Sequence, residues 1–525
     1  MRNFLSLLLV LPGILFGQST FNVRLADSTG TGSGGIAIEL SDWGYVVTGI
    51  AVHPYPPYNQ RLRISGLNLE GELLYDKKFG PDTMKWFAGW CNSTAPTTDG
   101  NFILGGHARK PGANLYEPYL IKFTPDGDTL WKSSFYSELM YLGNAGCQAV
   151  DGGYVLIGNT QDVDSPEIPW FNGFIMKTDG EGNFLWLKKY YHLQYQVIFM
   201  SVVPMPDGGI VAAGSRQWLG TNGNDFDWFA LRTDSIGNEI WRKAWGTPQE
   251  DHDIMINLAS DGNLLVSGFS LDPASNPLNF VGFHYAAKLN SSNGSVMWER
   301  YIAPSVQNSL PYKILETSDG EIIVGGNRRT NFPIVEEEPW YEFRGSLWKL
   351  SAEGDSLWLR TYAFADGHPC HFRDVIETPD GGFAAVGVAE VSPGYVSDDT
   401  WVVKVDEHGC LVPGCHLINV EEVETKGGRM MVFPNPVRGV LNVYLETSAS
   451  PPTSASGGRG ESPTMSLIDV NGKVVKQWRV GGSPTTYIAD VSGLEAGVYV
   501  LRYESPPAPQ RGDRGVVLTE KVIIE

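Results

Sequence analysis

An eight-residue pattern that recurs seven times constrains the fold of this chain more than any other feature. Each copy has Asp-Gly or a close variant, a short apolar run and a closing glycine, which is typical of a tight turn that leads into a β-strand. The copies begin at Asp42, Asp99, Asp151, Asp207, Asp261, Asp319 and Asp380. Their mean spacing is roughly 56 residues, which leaves room for several short strands in each period. The sequence therefore predicts seven copies of one all-β unit.

A second pattern follows each turn by about thirty residues and ends in an aromatic side chain in the first six copies. These aromatic residues are Tyr75, Trp131, Trp186, Trp241, Trp298 and Trp358. An apolar strand of the Ile-x-Lys type lies between the two patterns, and another apolar strand precedes the next Asp-Gly. Each period thus predicts four antiparallel strands, which must pack against neighbouring copies to bury their faces. A seven-bladed β-propeller satisfies this requirement, with the aromatic residues as wedges in its core.

The two ends of the repeat region predict how the propeller closes. The seventh copy stops near Cys415 without complete third and fourth strands. At the other end, Phe21–Ala26 precedes the first copy and Gly34–Leu40 leads into its turn at Asp42. We expect this N-terminal segment to supply the missing strands, because closing the ring removes exposed sheet edges.

The N-terminus has the pattern of a secretory signal peptide. Arg2 precedes an apolar run from Phe4 to Phe16, which is too short to span a membrane. No other stretch approaches the ~18 consecutive apolar residues of a membrane-spanning helix, so no transmembrane segment is predicted. We interpret residues 1–17 as the signal peptide and residues 20–416 as the β-propeller of an exported protein.

Charge and cysteine content limit the partners of this chain. A net charge of −20 argues against nucleic acid, because phosphate binding needs a basic face. Five cysteines in 525 residues are too few for disulfides to carry the fold. Cys410 and Cys415 enclose a short turn and are candidates for a disulfide, and none of the five cysteines has zinc-ligand spacing. We expect neither a metal nor a cofactor.

Residues 429–525 follow a charged linker at 417–428 and differ from the repeats. Their alternating strands and an Asn-Gly hairpin turn predict a small Ig-like β-sandwich. The motif residues of this region are Pro434, Asn435, Pro436, Asn471, Gly472, Gly497, Tyr499 and Lys521. This set resembles the type A C-terminal sorting domain of the type IX secretion system of Bacteroidetes, over roughly the last 95 residues.

The resemblance implies a route and a destination. The signal peptide would take the chain across the inner membrane, and the type IX secretion machinery would take it across the outer membrane. In proteins of this kind the sorting domain is usually removed, and the cargo is released or attached to surface lipopolysaccharide. The expected location is therefore the medium or the outer-membrane surface. The repeats resemble those of other secreted bacterial propeller proteins.

The sequence contains no recognisable catalytic motif. It has no Gly-x-Ser-x-Gly elbow, no His-Glu-x-x-His helix and no phosphate-binding loop. The Asp-Gly pairs are the residues that tight turns require, and a calcium loop needs more oxygen ligands at alternate positions than they provide. We therefore favour a role without catalysis. The alternative is a secreted polysaccharide-degrading enzyme with acid and base residues at the mouth of the propeller channel.

The long connections after each Asp-Gly strand are the candidate binding surface. Because the copies repeat, these seven loops must emerge on one face, where aromatic residues alternate with polar residues and arginine. The candidate ligand-binding residues are Tyr55, Tyr58, Arg109, Trp170, Trp218, Arg328, Trp340 and Tyr341. The predicted function is a cell-surface or secreted module that binds a glycan or a protein. A purely structural surface component is a third interpretation.

Overall fold

The fold consists of strands and turns in two separate units. The computed structural model describes residues 19–26, 32–52, 60–80, 84–90, 93–110, 115–135, 140–161, 171–190, 195–218, 225–248, 250–271, 282–301, 309–331, 341–364, 369–390, 398–412, 415, 428–433, 437, 439–447, 464–469, 473–479, 486–504 and 517–524. These residues contain no α-helix, and so no helix long and apolar enough to cross a membrane. The chain divides into two compact units between Gly409 and Cys410. The predicted signal peptide and most of the predicted linker lie outside the described residues.

Seven antiparallel sheets make up the described part of the N-terminal unit. Sheet one contains β2 (Ser33–Ser41), β3 (Gly44–Val52), β4 (Gln60–Asn68) and β5 (Leu73–Phe79). Sheet two contains β6 (Lys85–Phe87), β7 (Thr94–Pro96), β8 (Phe102–Arg109), β9 (Glu117–Phe123) and β10 (Thr129–Ser134). Sheet three contains β11 (Met140–Gln148), β12 (Tyr154–Gln161), β13 (Phe171–Thr178) and β14 (Phe184–Tyr190). Sheet four contains β15 (Tyr195–Pro204), β16 (Ile210–Trp218), β17 (Asp225–Thr233) and β18 (Glu239–Trp245).

The remaining sheets of this unit follow the same order. Sheet five contains β19 (Asp251–Leu258), β20 (Leu264–Leu271), β21 (Gly282–Leu289) and β22 (Val296–Tyr301). Sheet six contains β23 (Ser309–Glu316), β24 (Ile322–Asn331), β25 (Tyr341–Leu350) and β26 (Ser356–Tyr362). Sheet seven contains β27 (Cys370–Glu377), β28 (Phe383–Glu390), β29 (Asp398–Val405) and the N-terminal strand β1 (Phe21–Leu25).

The sheets group the strands differently from the predicted repeat. In each sheet the first strand precedes the Asp-Gly turn and the second strand follows it, as β15 and β16 do around Asp207. The prediction assigned these two strands to neighbouring blades, and it was wrong. A tight hairpin turn joins strands that hydrogen-bond to each other, so it cannot lead from one sheet into another. The strand with the aromatic residue is therefore the fourth strand of its sheet.

The N-terminal strand completes sheet seven. It pairs antiparallel with β29, from Phe21 opposite Lys404 to Leu25 opposite Thr400. Because β1 takes the place of the fourth strand, the N-terminal segment supplies one strand to this sheet rather than the predicted two. The next segment, β2, belongs to sheet one. Leu25 shares an apolar core with residues of both sheets, so β1 packs where sheet seven meets sheet one.

Each sheet packs against the next one in chain order. Shared apolar cores join sheets one and two, two and three, three and four, four and five, and five and six. Sheet six meets sheet seven where Phe372 packs against Gly345, and the core around Leu25 joins sheet seven to sheet one. The first strands of neighbouring sheets also contact each other. We call these first strands the inner circle; it consists of β2, β7, β11, β15, β19, β23 and β27.

An aromatic wedge is repeated at the described junctions between sheets. A ring from the fourth strand of one sheet packs against a glycine with positive φ in the following segment, where a Cβ atom would lie 3.0 Å or less from the ring. The pairs are Phe21 with Gly71, Tyr75 with Gly127, Trp131 with Gly182, Trp186 with Gly237, Trp241 with Gly294, Trp298 with Gly354 and Trp358 with Gly409. Phe21 of β1 is thus the wedge of sheet seven. The glycines in the second sequence pattern leave space for these rings.

Replacing Gly237 with alanine is expected to destabilise the protein by about 1–3 kcal/mol more than replacing Gly262 does. The φ angles of the two glycines are 78° and 79°, so alanine is strained equally at both positions. A Cβ atom at Gly237 would lie 2.8 Å from Trp186, whereas one at Gly262 would meet nothing within 4 Å. Urea unfolding midpoints of the two variants test the expectation. Equal midpoints would show that the wedge contact adds nothing to stability.

An ion pair in six of the sheets explains the lysine of the Ile-x-Lys strands. The cation on the third strand contacts the aspartate of the Asp-Gly turn in each of these sheets. The pairs are Lys122 with Asp99, Lys177 with Asp151, Arg232 with Asp207, Lys288 with Asp261, Lys349 with Asp319 and Lys404 with Asp380, at 2.5–3.6 Å. Sheet one has Gly66 at the equivalent position, opposite Val46. The aspartates of these turns are thus structural groups.

The described part of the C-terminal unit contains two antiparallel sheets around one core. One sheet contains β30 (Gly428–Phe433), β31 (Val440–Thr447) and β34 (Thr486–Asp490). The other contains β32 (Thr464–Ile468), β33 (Val474–Arg479), β35 (Gly497–Glu504) and β36 (Val517–Ile524). Leu441, Leu467 and Leu501 are fully buried in the core that both sheets share. A disulfide joins Cys410 to Cys415, whose Cα atoms lie 5.6 Å apart.

Candidate functional site

The predicted binding residues that the structure describes lie on strands rather than in loops. They are found at or near one edge of the sheets, where the second strand leads to the third; we call this the long-loop edge. Arg109 and Trp218 end their strands, Tyr341 begins β25, and Arg328 lies inside β24. Tyr55, Tyr58, Trp170 and Trp340 lie outside the described residues. The predicted loops were too long because these strands continue further toward the edge than the apolar pattern indicates.

Trp218 belongs to an aromatic and charged cluster, which we call the Trp218 site. Its indole is 43% exposed and stacks on Tyr195, the residue opposite it on β15, with ring centroids 6.4 Å apart and planes 28° apart. The guanidinium of Arg216 lies over the same tyrosine ring, 5.2 Å from its centroid. Tyr195 is 8% exposed. The buried tyrosine ring thus contacts both an exposed indole and a cation.

An acid fixes the guanidinium of the Trp218 site. Nε and Nη2 of Arg216 contact Oδ2 of Asp227, at 2.7 and 2.5 Å, across the pair β16–β17. The side chains of Arg216 and Asp227 are 30% and 23% exposed, so both remain accessible. The site therefore presents an aromatic face beside polar groups that are held in place before any ligand arrives.

A second carboxylate lies close to Asp227. A Cβ atom on Gly246 would lie 2.2 Å from Oδ2 of Asp251 and 3.2 Å from Oδ1 of Asp227. Asp251 is fully buried and accepts hydrogen bonds from the backbone N and the hydroxyl of Thr247. The pKa of Asp251 is raised to about 6, chiefly by burial; hydrogen bonds from Ser270 and Thr247 act to lower it, and the charge of Asp227 acts to raise it. Two carboxyl groups therefore lie close together where sheet four meets sheet five.

Arg109 lies in a packed aromatic cluster in sheet two. Its guanidinium covers the ring of Tyr116 at 5.0 Å. His107 stacks on Phe87 at 4.8 Å, and its Nδ1 lies 2.9 Å from the carbonyl oxygen of Gly143. Burial lowers the pKa of His107 to about 4, so the ring is neutral at pH 7 and Nδ1 is the donor in this bond. The cluster packs its rings against each other and offers less open aromatic surface than the Trp218 site.

Arg328 lies in a basic part of sheet six. It is opposite Arg344 in the pair β24–β25, and burial lowers the pKa of its guanidinium. Nε2 of the buried His284 lies 3.1 Å from the backbone oxygen of Asn327. Tyr341 is three pairs further along the same hairpin, opposite Asn331. Arg109, Trp218 and Arg328 thus belong to sheets two, four and six, and the structure does not bring them together.

Charged side chains from three sheets meet in the inner circle. Nζ of Lys313 on β23 lies 3.2 Å from Oδ1 of the fully buried Asp374 on β27. The same carboxylate accepts hydrogen bonds from the backbone nitrogens of Ile38, at 3.0 Å, and Val375, at 2.9 Å. Glu39 on β2 is half-buried beside them and makes no hydrogen bond within the described residues. The pKa of Glu39 is raised to about 8, chiefly by burial. The charge of Lys313 acts to lower this pKa, and the charge of Asp374 acts to raise it.

No metal site was found in the part of the chain that the structure describes, where no three His, Cys, Asp or Glu side chains are grouped to hold an ion. The turn at Asp179 uses its carboxylate internally. Oδ1 of Asp179 accepts hydrogen bonds from the backbone nitrogens of Glu181 and Asn183. This carboxylate therefore has a structural role that needs no ion.

Three of the eight motif residues of the C-terminal unit are among the residues that the structure describes. Gly497 begins β35, and Tyr499 is 8% exposed with its hydroxyl donating to the carbonyl oxygen of Glu495 at 2.8 Å. Lys521 lies on β36 opposite Val500. Pro434, Asn435, Pro436, Asn471 and Gly472 lie outside the described residues.

Sequence reasoning missed several residues that shape these two clusters. Tyr195 and Asp227 meet Trp218 and Arg216 only through strand register, which the sequence pattern does not give. In the inner circle, Asp374 shares β27 with His371, Arg373 and Glu377, so the sequence alone does not mark it as a buried charge. Its partner is Lys313 from another sheet.

Comparison with known proteins identifies the C-terminal region. Residues 431–525 match the family model described as a secretion system C-terminal sorting domain. This confirms the resemblance to a type IX sorting domain and implies that the chain is exported to the cell surface or the medium. It also implies interaction with the secretion machinery. The model covers only the C-terminal part of the chain, so it assigns no family to the N-terminal unit.

Solved structures resemble the chain only weakly, and no curated protein matches it. A protein of unknown function from Bacteroides caccae is 12% identical, with a TM-score of 0.35 over 63% of this chain and 94% of that chain. A polysaccharide lyase, an ulvan lyase of family PL25, is 10% identical, with a TM-score of 0.45 over 74% and 97%. An α-L-arabinanase from Penicillium chrysogenum is 9% identical, with a TM-score of 0.38 over 74% and 98%. TM-scores this low carry no argument about function.

Proposed function

We propose that this protein is an exported β-propeller that binds glycans through the Trp218 site. In this proposal, the seven sheets are the blades of a seven-bladed propeller at residues 20–416, closed by the N-terminal strand. A linker at 417–428 leads to an Ig-like sorting domain at 429–525, and residues 1–17 are a signal peptide. The mature protein is released or attached to surface lipopolysaccharide, where it acts in binding or adhesion.

The Trp218 site is the observation that carries the proposal. An indole that is 43% exposed offers a flat apolar surface on which the apolar face of a sugar ring can stack. The Arg216 and Asp227 pair beside it supplies donors and acceptors in fixed positions for the hydroxyl groups of the same ring. Since Tyr195 and Asp227 already hold these groups, little side-chain entropy is lost when a ligand binds.

Changing Trp218 to alanine is expected to weaken glycan binding at least tenfold, because a buried aromatic contact at the centre of a site is worth about 2 kcal/mol or more. The measurement is a glycan-array screen of the mature protein, followed by titration of the glycans that bind. The matched control is Trp90→Ala, since Trp90 is exposed to a similar degree, 45%, but lies between β6 and β7, whereas Trp218 is in sheet four. Equal losses in the two variants, or no glycan bound by the unchanged protein, would contradict the proposal.

The alternative function is a polysaccharide-degrading enzyme with its site in the inner circle. Glu39 favours it, because a half-buried carboxyl group with a pKa of about 8 is protonated at pH 7 and can act as a general acid. Lys313 and Asp374 place further charges beside it. Product analysis of every glycan that binds in the screen distinguishes the two functions. Released oligosaccharides would support the enzyme, whereas saturable binding without products supports the binding module.

A further inference from the structure

The cations of the Trp218 site are already neutralised by acids of the same sheet. Arg216 is held by Asp227. Arg242 on β18, which hydrogen-bonds to Tyr195 of the site, is held by Glu239, with 2.7 Å between Nε of Arg242 and Oε1 of Glu239. The buried Asp251 adds a further carboxylate near Asp227. Within the described residues of the Trp218 site, each of these two cations is therefore matched by a carboxylate. The whole chain, with a net charge of −20, has the same sign.

We infer that Asp227 makes the Trp218 site selective for neutral glycans and against glycans that carry carboxylate or sulfate groups. This inference rests on the binding function proposed above and names the ligand class of the same site. An anionic sugar stacked on Trp218 would bring its negative charge close to the carboxylate of Asp227, which is already bound to the guanidinium of Arg216. A neutral sugar meets no such repulsion, because its hydroxyl groups both donate to the carboxylate and accept from Arg216.

The selectivity depends on local charge more than on the charge of the whole molecule. At 0.15 M salt the Debye length is about 8 Å, so distant carboxylates are largely screened. Asp227 lies within hydrogen-bond distance of Arg216, where screening is weak. The carboxylate of Asp227 therefore competes with an anionic ligand for the guanidinium of Arg216. A free guanidinium group binds carboxylate and sulfate-like groups well.

Asp227→Asn tests this directly, because asparagine keeps the shape and can still accept a hydrogen bond from Nε of Arg216, while the negative charge is removed. We expect the ratio of affinity for anionic over neutral glycans to rise at least roughly tenfold, as charge-assisted hydrogen bonds to Arg216 become available. The probes are xylohexaose and cellohexaose as neutral glycans, and a galacturonate hexamer and a heparin hexasaccharide as anionic ones. Binding is measured with the full mature chain at 0.15 M and at 0.5 M NaCl.

Two further variants make the result specific. Asp128→Asn removes one exposed negative charge at a turn of sheet two, where Asp128 is 73% exposed and paired with Lys77, so it matches the change in net charge away from the site. The double variant Asp227→Asn with Arg216→Gln removes the cation that the inference depends on. We expect the ratio of affinity for anionic over neutral glycans to rise only in the single variant Asp227→Asn. This rise is expected to be smaller at 0.5 M than at 0.15 M NaCl.

The outcomes separate this inference from the binding function. If the unchanged protein binds neutral glycans through Trp218 and Asp227→Asn shows no rise, the selectivity inference is wrong while the binding function stands. A rise in Asp128→Asn or in the double variant would equally overturn it, as would a preference of the unchanged protein for anionic glycans. If no variant binds any glycan, the binding function is wrong, and the inference falls with it.

Discussion

Removing residues 18–26, and β1 with them, is expected to destabilise the N-terminal unit by more than about 5 kcal/mol, which is comparable to the whole stability of a typical domain. Five residue pairs with β29 are lost, together with the packing of Phe21 on Gly71 and the burial of Leu25. The buried Arg63 also loses its hydrogen bond to the carbonyl oxygen of Leu25. Each of these losses costs about 1–3 kcal/mol on its own.

The experiment compares urea unfolding and size-exclusion profiles of the truncated and complete mature chains. The truncated chain is expected to unfold at lower urea and to self-associate, because the freed edge of β29 can pair with another chain. A peptide of residues 18–28, added in trans, is expected to restore part of the stability. Removing residues 506–515, a segment of similar length in the C-terminal unit, is the control. An unchanged midpoint after loss of β1 would show that this strand does not hold the sheets together.

Raising the pH from 5 to 9 is expected to destabilise the protein by about 2–4 kcal/mol through Glu39. Burial raises the pKa of this carboxyl group from 4.5 to about 8. Between these two values the folded chain keeps a proton on Glu39 that the unfolded chain releases. Unfolding therefore becomes more favourable as the pH rises through this window, and the effect levels off above pH 8. Burial also raises the pKa of Asp374, which adds a contribution of the same sign.

Glu39→Gln tests the origin of this pH dependence, because glutamine is neutral at every pH and has nearly the same shape. The variant is expected to match the unchanged protein at pH 5 and to be more stable than it at pH 9. Glu181→Gln, in an exposed turn, is the matched control and should follow the unchanged protein throughout. The expectation fails if Glu39→Gln shows the same fall in stability between pH 5 and pH 9 as the unchanged protein.

Local sequence patterns were sufficient to predict the strands and the wedges. The Asp-Gly turns, the strands on either side of them and the aromatic side chains of the fourth strands all depend on residues close together in the chain. The same turns also indicate how the strands group, because a tight turn joins two strands that pair within one sheet. The prediction assigned these two strands to different blades. The seven sheets were thus predictable, and hairpin geometry was sufficient to predict which strands each sheet contains.

The candidate sites were much less predictable, because they depend on contacts between distant residues. Trp218 was selected by residue type alone. The other members of its site, Tyr195, Arg216 and Asp227, are recognised only once the strand register is known. The inner-circle cluster is even harder to predict from the sequence, because the hydrogen bond from Ile38 to Asp374 joins residues 336 positions apart. No periodicity or spacing specifies such a pair.

The position of β1 has a consequence for how the N-terminal unit folds. The hydrogen bond between Asn22 and Trp401 closes a loop of 379 residues, so it belongs to the class of contacts that form slowly and late. A chain that is synthesised and exported from its N-terminus presents β1 first and β29 nearly 400 residues later. The last sheet therefore acquires its final partner only when almost the whole unit has emerged. Completion of folding and delivery of the sorting domain fall close together in time, which limits the period in which a free sheet edge is open to aggregation.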